Sequence, residues 1–123
     1  MISELFPILA TADLERSLGF YRDLLGGSVT YSFPGEDGLP VYVGIDLGSS
    51  HLGIGFEAQP SDLARPRPIS LWVYTEDCDA LVERIRAAGG AVTEEPADQP
   101  WGERTARVLD PDGNEVIIGQ REG

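Results

Sequence analysis

The chain has 123 residues, 41% of them hydrophobic, which is enough to bury the core of one small globular domain. Nine basic side chains stand against 21 acidic ones for a net charge of −12, which argues against nucleic acid and anionic membranes as partners and favours cationic ligands. Cys78 is the only cysteine, so neither an intramolecular disulfide nor a zinc site built from several thiolates can form.

The opening stretch "MISELFPILATAD" has no basic segment, and no apolar run approaches the roughly 18 residues of a membrane span, so the chain reads as cytoplasmic. "LFPILAT" reads as a strand, and Asp13 opens a helix carrying Ser17, Phe20 and Tyr21. Three alternating segments follow as strands: Val29 to Phe33, Val41 to Ile45 and Leu52 to Phe56. Residues 58–68 hold three prolines among polar side chains and read as a linker.

Beyond the linker the order recurs. "ISLWVYT" is a strand, and Glu76 and Asp77 mark a helix start. Cys78, Leu81, Val82, Ile85 and Ala88 then recur at helical spacing, which makes Cys78 a core residue, and Gly89 stands where a left-handed helix end favours glycine. Ala91 to Thr93, Arg104 to Leu109 and Val116 to Ile118 complete the strands.

The recurrence extends to the residues themselves. "LGFYRDLLGGSVT" (Leu18 to Thr30) lies 63 residues before "LVERIRAAGGAVT" (Leu81 to Thr93), and "IDLGSSHLGIG" (Ile45 to Gly55) lies 64 before "LDPDGNEVIIG" (Leu109 to Gly119). The chain is therefore two βαβββ modules, 1–57 and 69–123, of a single α+β domain. Four strands that bury one face under a helix leave the other needing cover or a ligand. Two such curved mixed sheets side by side, helices outside, make an open trough.

With "ATADLERSLGFYRDLLGG" and "DPDGN" in place, this layout resembles the glyoxalase/bleomycin-resistance/dioxygenase superfamily, the vicinal oxygen chelate fold, over nearly the whole chain. Asp13, Ser17, Phe20 and Tyr21, and the turn from Asp110 to Asn114, carry that resemblance and are structural in role: helix start, core aromatics and hairpin turn. Enzymes of the superfamily hold a divalent metal through His, Glu or Gln on four strands. Three of those positions fall here on Phe6, Ser70 and Ile117, which are not metal anchors, and His51 or Glu57 alone cannot make a site. No metal and no cofactor is expected, and His51 reads as a strand-surface residue.

If Ser70 faces the trough, alternation puts Trp72 and Tyr74 on the same face and sends Ile69, Leu71 and Val73 under the helices. Gln99-Pro100-Trp101-Gly102 ahead of a strand and the Asp-Pro turn looks like the bleomycin-resistance binding proteins, as does "FPILATAD". That resemblance implies a homodimer exchanging N-terminal strands about Pro7, with no chemistry on the ligand. The expected ligand contacts are Trp101, Trp72, Tyr74, Tyr31, Phe33 and Phe6, holding an aromatic, cationic antibiotic by stacking and charge. The alternatives are a metal-dependent lyase, isomerase or dioxygenase of the same fold, and a binder of an endogenous metabolite.

Overall fold

In a computed structural model of the chain, residues 4, 6–58 and 69–122 are described; Leu5 and nearly all of the expected linker lie outside them. The chain divides into two compact units, residues 1–62 and 63–123.

The first unit runs β1 (Ile8–Thr11), α1 (Leu14–Leu18), a π-helical segment (Gly19–Leu24), β2 (Ser28–Pro34), β3 (Pro40–Leu47) and β4 (Ser50–Phe56). The second runs β5 (Leu71–Tyr74), α2 (Cys78–Ala87), β6 (Ala91–Asp98), β7 (Arg104–Leu109) and β8 (Glu115–Gln120). Each forms an open four-stranded mixed sheet of identical topology, β1-β4-β3-β2 and β5-β8-β7-β6. The β1/β4 and β5/β8 pairs are parallel and the rest are antiparallel. This is the α+β, twice-repeated βαβββ architecture that the sequence repeat implies.

The same local chemistry starts each helix. Asp13 and Asp77 sit in extended backbone as N-caps, and their carboxylates accept from the amides of Arg16 and Ala80, each at 3.0 Å. Both helices lead into a pair of glycines. Gly26 and Gly89 take left-handed φ angles of 80° and 88°. At Gly27 a Cβ would run into the Ile45 side chain and the Tyr21 carbonyl.

The helices differ by one residue, and the difference is visible in the spacing. Asp13 lies thirteen positions before Gly26, whereas Asp77 lies twelve before Gly89. The extra residue is taken up by the wider π-helical segment, where the Leu25 amide donates to the Phe20 carbonyl at 2.9 Å. That wider turn lets the consecutive rings of Phe20 and Tyr21 both be buried, edge to face at 4.9 Å.

Cores lie between helix and sheet within each unit. Phe20, Tyr21, Val43, Ile45, Leu52 and Ile54 fill the first, and Cys78, Val82, Ile85, Val108, Val116 and Ile118 the second. Full burial of each aliphatic side chain is worth about 1.5–3 kcal/mol. Cys78 is fully buried, as its spacing implies, and desolvation raises its thiol pKa, so it is held as an unreactive thiol. Asp110 is buried as well. Its carboxylate accepts from the amides of Asp112 (2.9 Å) and Asn114 (2.8 Å) and from the Asn114 side chain (2.8 Å), which makes "DPDGN" a self-satisfied hairpin turn.

The edge strands β2 and β6 each carry a bulge at the same repeat position. Val29 pairs with Ile45 but Tyr31 with Gly44, and Val92 pairs with Val108 but Glu94 with Arg107, which leaves Thr30 and Thr93 as the inserted residues. Each threonine hydroxyl donates to the facing strand, Thr30 to the Gly44 carbonyl at 3.4 Å and Thr93 to that of Arg107 at 3.2 Å. Past the bulge the faces invert. Tyr31 and Phe33 therefore join Gly44 and Tyr42 away from the helix, whereas Val29 sides with the core residue Ile45. Beyond its own bulge β6 continues to Asp98, well past the Thr93 expected from the sequence.

Two further points bear on the site. Ile69 was expected under the helices, but the strand begins at Leu71 and Ile69 is 72% exposed. Among the described residues no helix is long and apolar enough to cross a membrane.

Candidate ligand platform

The face of the second sheet that turns away from α2 is built by alternation. Leu71, Val73, Val116 and Ile118 point toward the helix, so their neighbours Trp72, Tyr74, Ile117 and Gly119 take the opposite side. Trp72 pairs with Ile117 and Tyr74 with Gly119. Gly119 is the reason the indole can lie across β8: a Cβ there would stand 2.7 Å from Trp72 Nε1. Trp72 and Tyr74 remain 42% and 47% exposed, their rings tilted at 5.9 Å.

Trp101 reaches this face from the β6–β7 hairpin. The Gly102 amide donates to the Gln99 carbonyl at 3.0 Å and the Gln99 amide to the Glu103 carbonyl at 2.7 Å, closing a tight turn in which Pro100 fixes φ and Gly102 takes φ 99°. The Gln99 side chain ties the turn to the Thr105 hydroxyl at 2.8 Å. Trp101 thus stands on a braced corner, 61% exposed, and is no part of this chain's core. Its indole N–H donates to Glu103 Oε1 at 2.8 Å, while the Tyr74 hydroxyl donates to Glu103 Oε2 at 2.9 Å. One carboxylate therefore orients both aromatics.

A row of charge completes the face. Arg107 spans Glu94 (2.7 Å) and Glu115 (3.0 Å), and the Ser70 hydroxyl donates to the other Glu115 oxygen. Those bonds, from Ser70 first and Arg107 second, hold the Glu115 pKa below its ordinary 4.5. Arg121 lies over the Tyr74 ring, 4.0 Å from its centroid.

On the first sheet the corresponding face carries Ile8, Tyr31, Phe33, Tyr42, Asp46 and His51 over a floor of glycines. Tyr31 meets Tyr42 edge to face at 6.2 Å. Phe6 meets His51 the same way at 4.7 Å, and His51 Nδ1 lies 2.8 Å from Asp46 Oδ1. A hollow of about 420 Å³ lined by Glu4, Phe6, Asp46, Ser50 and His51 opens here.

The structure thus brings Trp72, Tyr74 and Trp101 together on one sheet face, and sets Tyr31, Phe33 and Phe6 on the corresponding face of the other sheet. The three metal-ligand positions hold a phenyl ring against His51, a hydroxyl committed to Glu115, and a nearly buried isoleucine. Among the described residues no three His, Cys, Asp or Glu side chains converge as a metal would need. Sequence reasoning missed Glu103 and Arg121. The signal for both is register: Arg104 pairs with Gln120, so the residues one step beyond, Glu103 and Arg121, return to the face of Thr105 and Gly119.

Fold and sequence place the chain in a family. It belongs to the Glyoxalase/Bleomycin resistance protein/Dioxygenase superfamily, whose model matches residues 5–118. An uncharacterized protein of Mycolicibacterium smegmatis is 33% identical over 111 residues, covering 90% of this chain and 87% of that one. The anthracycline biosynthesis protein DauV of Streptomyces sp. strain C5 is 36% identical over 110 residues, which cover 85% of this chain and 36% of DauV. Among solved structures, the bleomycin resistance determinant encoded on transposon Tn5 shares the fold with a TM-score of 0.69, at 20% identity and over 99% and 100% of the two chains.

Proposed function

We propose that this protein is a non-catalytic binding protein that sequesters a flat, aromatic, cationic small molecule of the bleomycin type, acting in the cytoplasm as a homodimer. The observation that carries the reading is the platform of Trp72, Tyr74 and Trp101, with Glu103 fixing two of the three rings. Three large aromatic side chains that stay partly exposed on one sheet face, one of them under Arg121, offer stacking, each worth on the order of 1–3 kcal/mol against a flat heterocycle. The −12 net charge draws cations toward it.

The comparisons support the same chemistry. A protein of the same fold is named for bleomycin resistance, and a relative for anthracycline biosynthesis. Metal independence belongs to the reading, because Phe6, Ser70 and Ile117 supply no strong donor where the superfamily's enzymes place ligands; elemental analysis of the purified chain tests it. Exchange of N-terminal strands about Pro7 belongs to it as well. Titration with bleomycin, followed by tryptophan fluorescence in the parent and in Trp101→Ala, tests the platform.

A further inference from the structure

Arg121 is unusual among the arginines of this acidic chain. Arg22, Arg86, Arg104 and Arg107 all bind carboxylates, whereas among the described residues Arg121 pairs with none and rests on the Tyr74 ring. A guanidinium that settles on an aromatic face, in a chain with 21 acidic side chains, identifies that face as a cation site in its own right. The strand register explains how it gets there. Gly119 faces Tyr74 and Thr105, so Arg121, two residues on, returns to the same side of the sheet. The Glu122 carboxylate lies close to Gly102, where a Cβ would strike it.

Resting on the platform reading above, we infer that Arg121 is a resident stand-in for the ligand's charged group. The subsite on Tyr74 takes a flat, delocalised cation, an amidinium, guanidinium or protonated amino-heterocycle, and the ligand enters by displacing Arg121. Two features select that class. The ring face attracts positive charge but offers no acceptor above it, which favours a cation that lies flat and is weakly hydrated over a compact, strongly hydrated ammonium. At the ring's edge stands Glu103, whose carboxylate already accepts from Tyr74 and Trp101 and retains lone pairs for an in-plane N–H of the ligand. Arg121 thereby sets the affinity: the ligand gains only the difference between its own contact with Tyr74 and the one that Arg121 gives up.

The test uses three small probes on the full chain: benzamidine, its neutral isostere benzamide, and benzylammonium, which carries a point charge on the same ring. Titrations follow the Trp101 indole N–H by NMR in the parent, in Arg121→Ala and in Arg121→Ala/Glu103→Gln. Arg121→Ala should bind benzamidine about threefold to tenfold tighter than the parent, with the melting temperature unchanged because the side chain is exposed. Benzamide affinity should stay the same, benzylammonium should bind more weakly than benzamidine, and Glu103→Gln should cancel the gain. Equal or weaker benzamidine binding by Arg121→Ala, or no binding by either protein, overturns the inference. So does an equal gain for benzamide, or benzylammonium binding as well as benzamidine. If bleomycin binding depends on Trp101 but not on Arg121, this inference falls and the platform stands; if it does not depend on Trp101, the platform itself falls.

Discussion

Trp101 and Glu103, two residues apart on one hairpin, are joined by a 2.8 Å hydrogen bond from the indole N–H to a carboxylate whose other oxygen accepts from Tyr74. The bond converts an exposed tryptophan into an oriented surface, because the turn alone fixes the backbone and leaves the ring's torsions free. Glu103→Ala removes both acceptors and should free both rings. The expected result is a binding loss of about threefold to tenfold for a flat aromatic ligand, with little change in melting temperature. An unaltered affinity would mean that the rings are oriented by something other than this carboxylate.

The bare floor under Trp72 supplies a second check. In Gly119→Ala the new methyl falls 2.7 Å from Nε1, so the indole must swing away, and being half exposed it can do so at modest cost. Binding should weaken by about tenfold, whereas thermal stability should drop by only a few degrees. A large stability loss instead would show that Trp72 is held as core.

Glu115 predicts a pH dependence with a definite sign. Its pKa in the folded chain is depressed by Ser70 and Arg107, so its contribution is present above the ordinary value of 4.5 and is lost as pH falls through the lower folded value. Glu115→Gln should therefore melt below the parent at pH 7 and converge with it as the pH falls below the depressed folded value. Thermal melts at several pH values decide this, and a gap that widens on acidification would contradict it.

Ile8, Phe33, Leu39 and Ile69 are large apolar side chains that this chain leaves more than half exposed. Such surface in a small acidic protein calls for a second copy to cover it. Sedimentation at micromolar concentration should give a dimer of the 13.3 kDa chain. A clean monomer would remove the homodimer from the proposal.

Much of this fold was legible in the sequence because the repeat carries its own punctuation. Asp13 and Asp77 cap, and Gly26 and Gly89 end the helices, but the matching bulges at Thr30 and Thr93 were not read, since an inserted residue breaks an alternation that looks continuous in sequence. The π-helical segment was not read, although one extra residue between Asp13 and Gly26 records it. Ile69 was misplaced because alternation gives a face only within a strand, and the strand starts at Leu71. The faces of Trp72 and Tyr74 followed from alternation, since β5 has no bulge. Glu103 and Arg121 did not, because each lies just outside a strand and its neighbours on the face come from distant parts of the chain.

The most direct measurement is a fluorescence titration of the parent and Trp101→Ala with bleomycin, with a melting curve on each. The account predicts saturable binding by the parent and a loss of roughly tenfold to a hundredfold in the variant, with far less lost stability than the about 3–5 kcal/mol of deleting a buried aromatic. A variant that binds as tightly as the parent, or that unfolds readily, would contradict it.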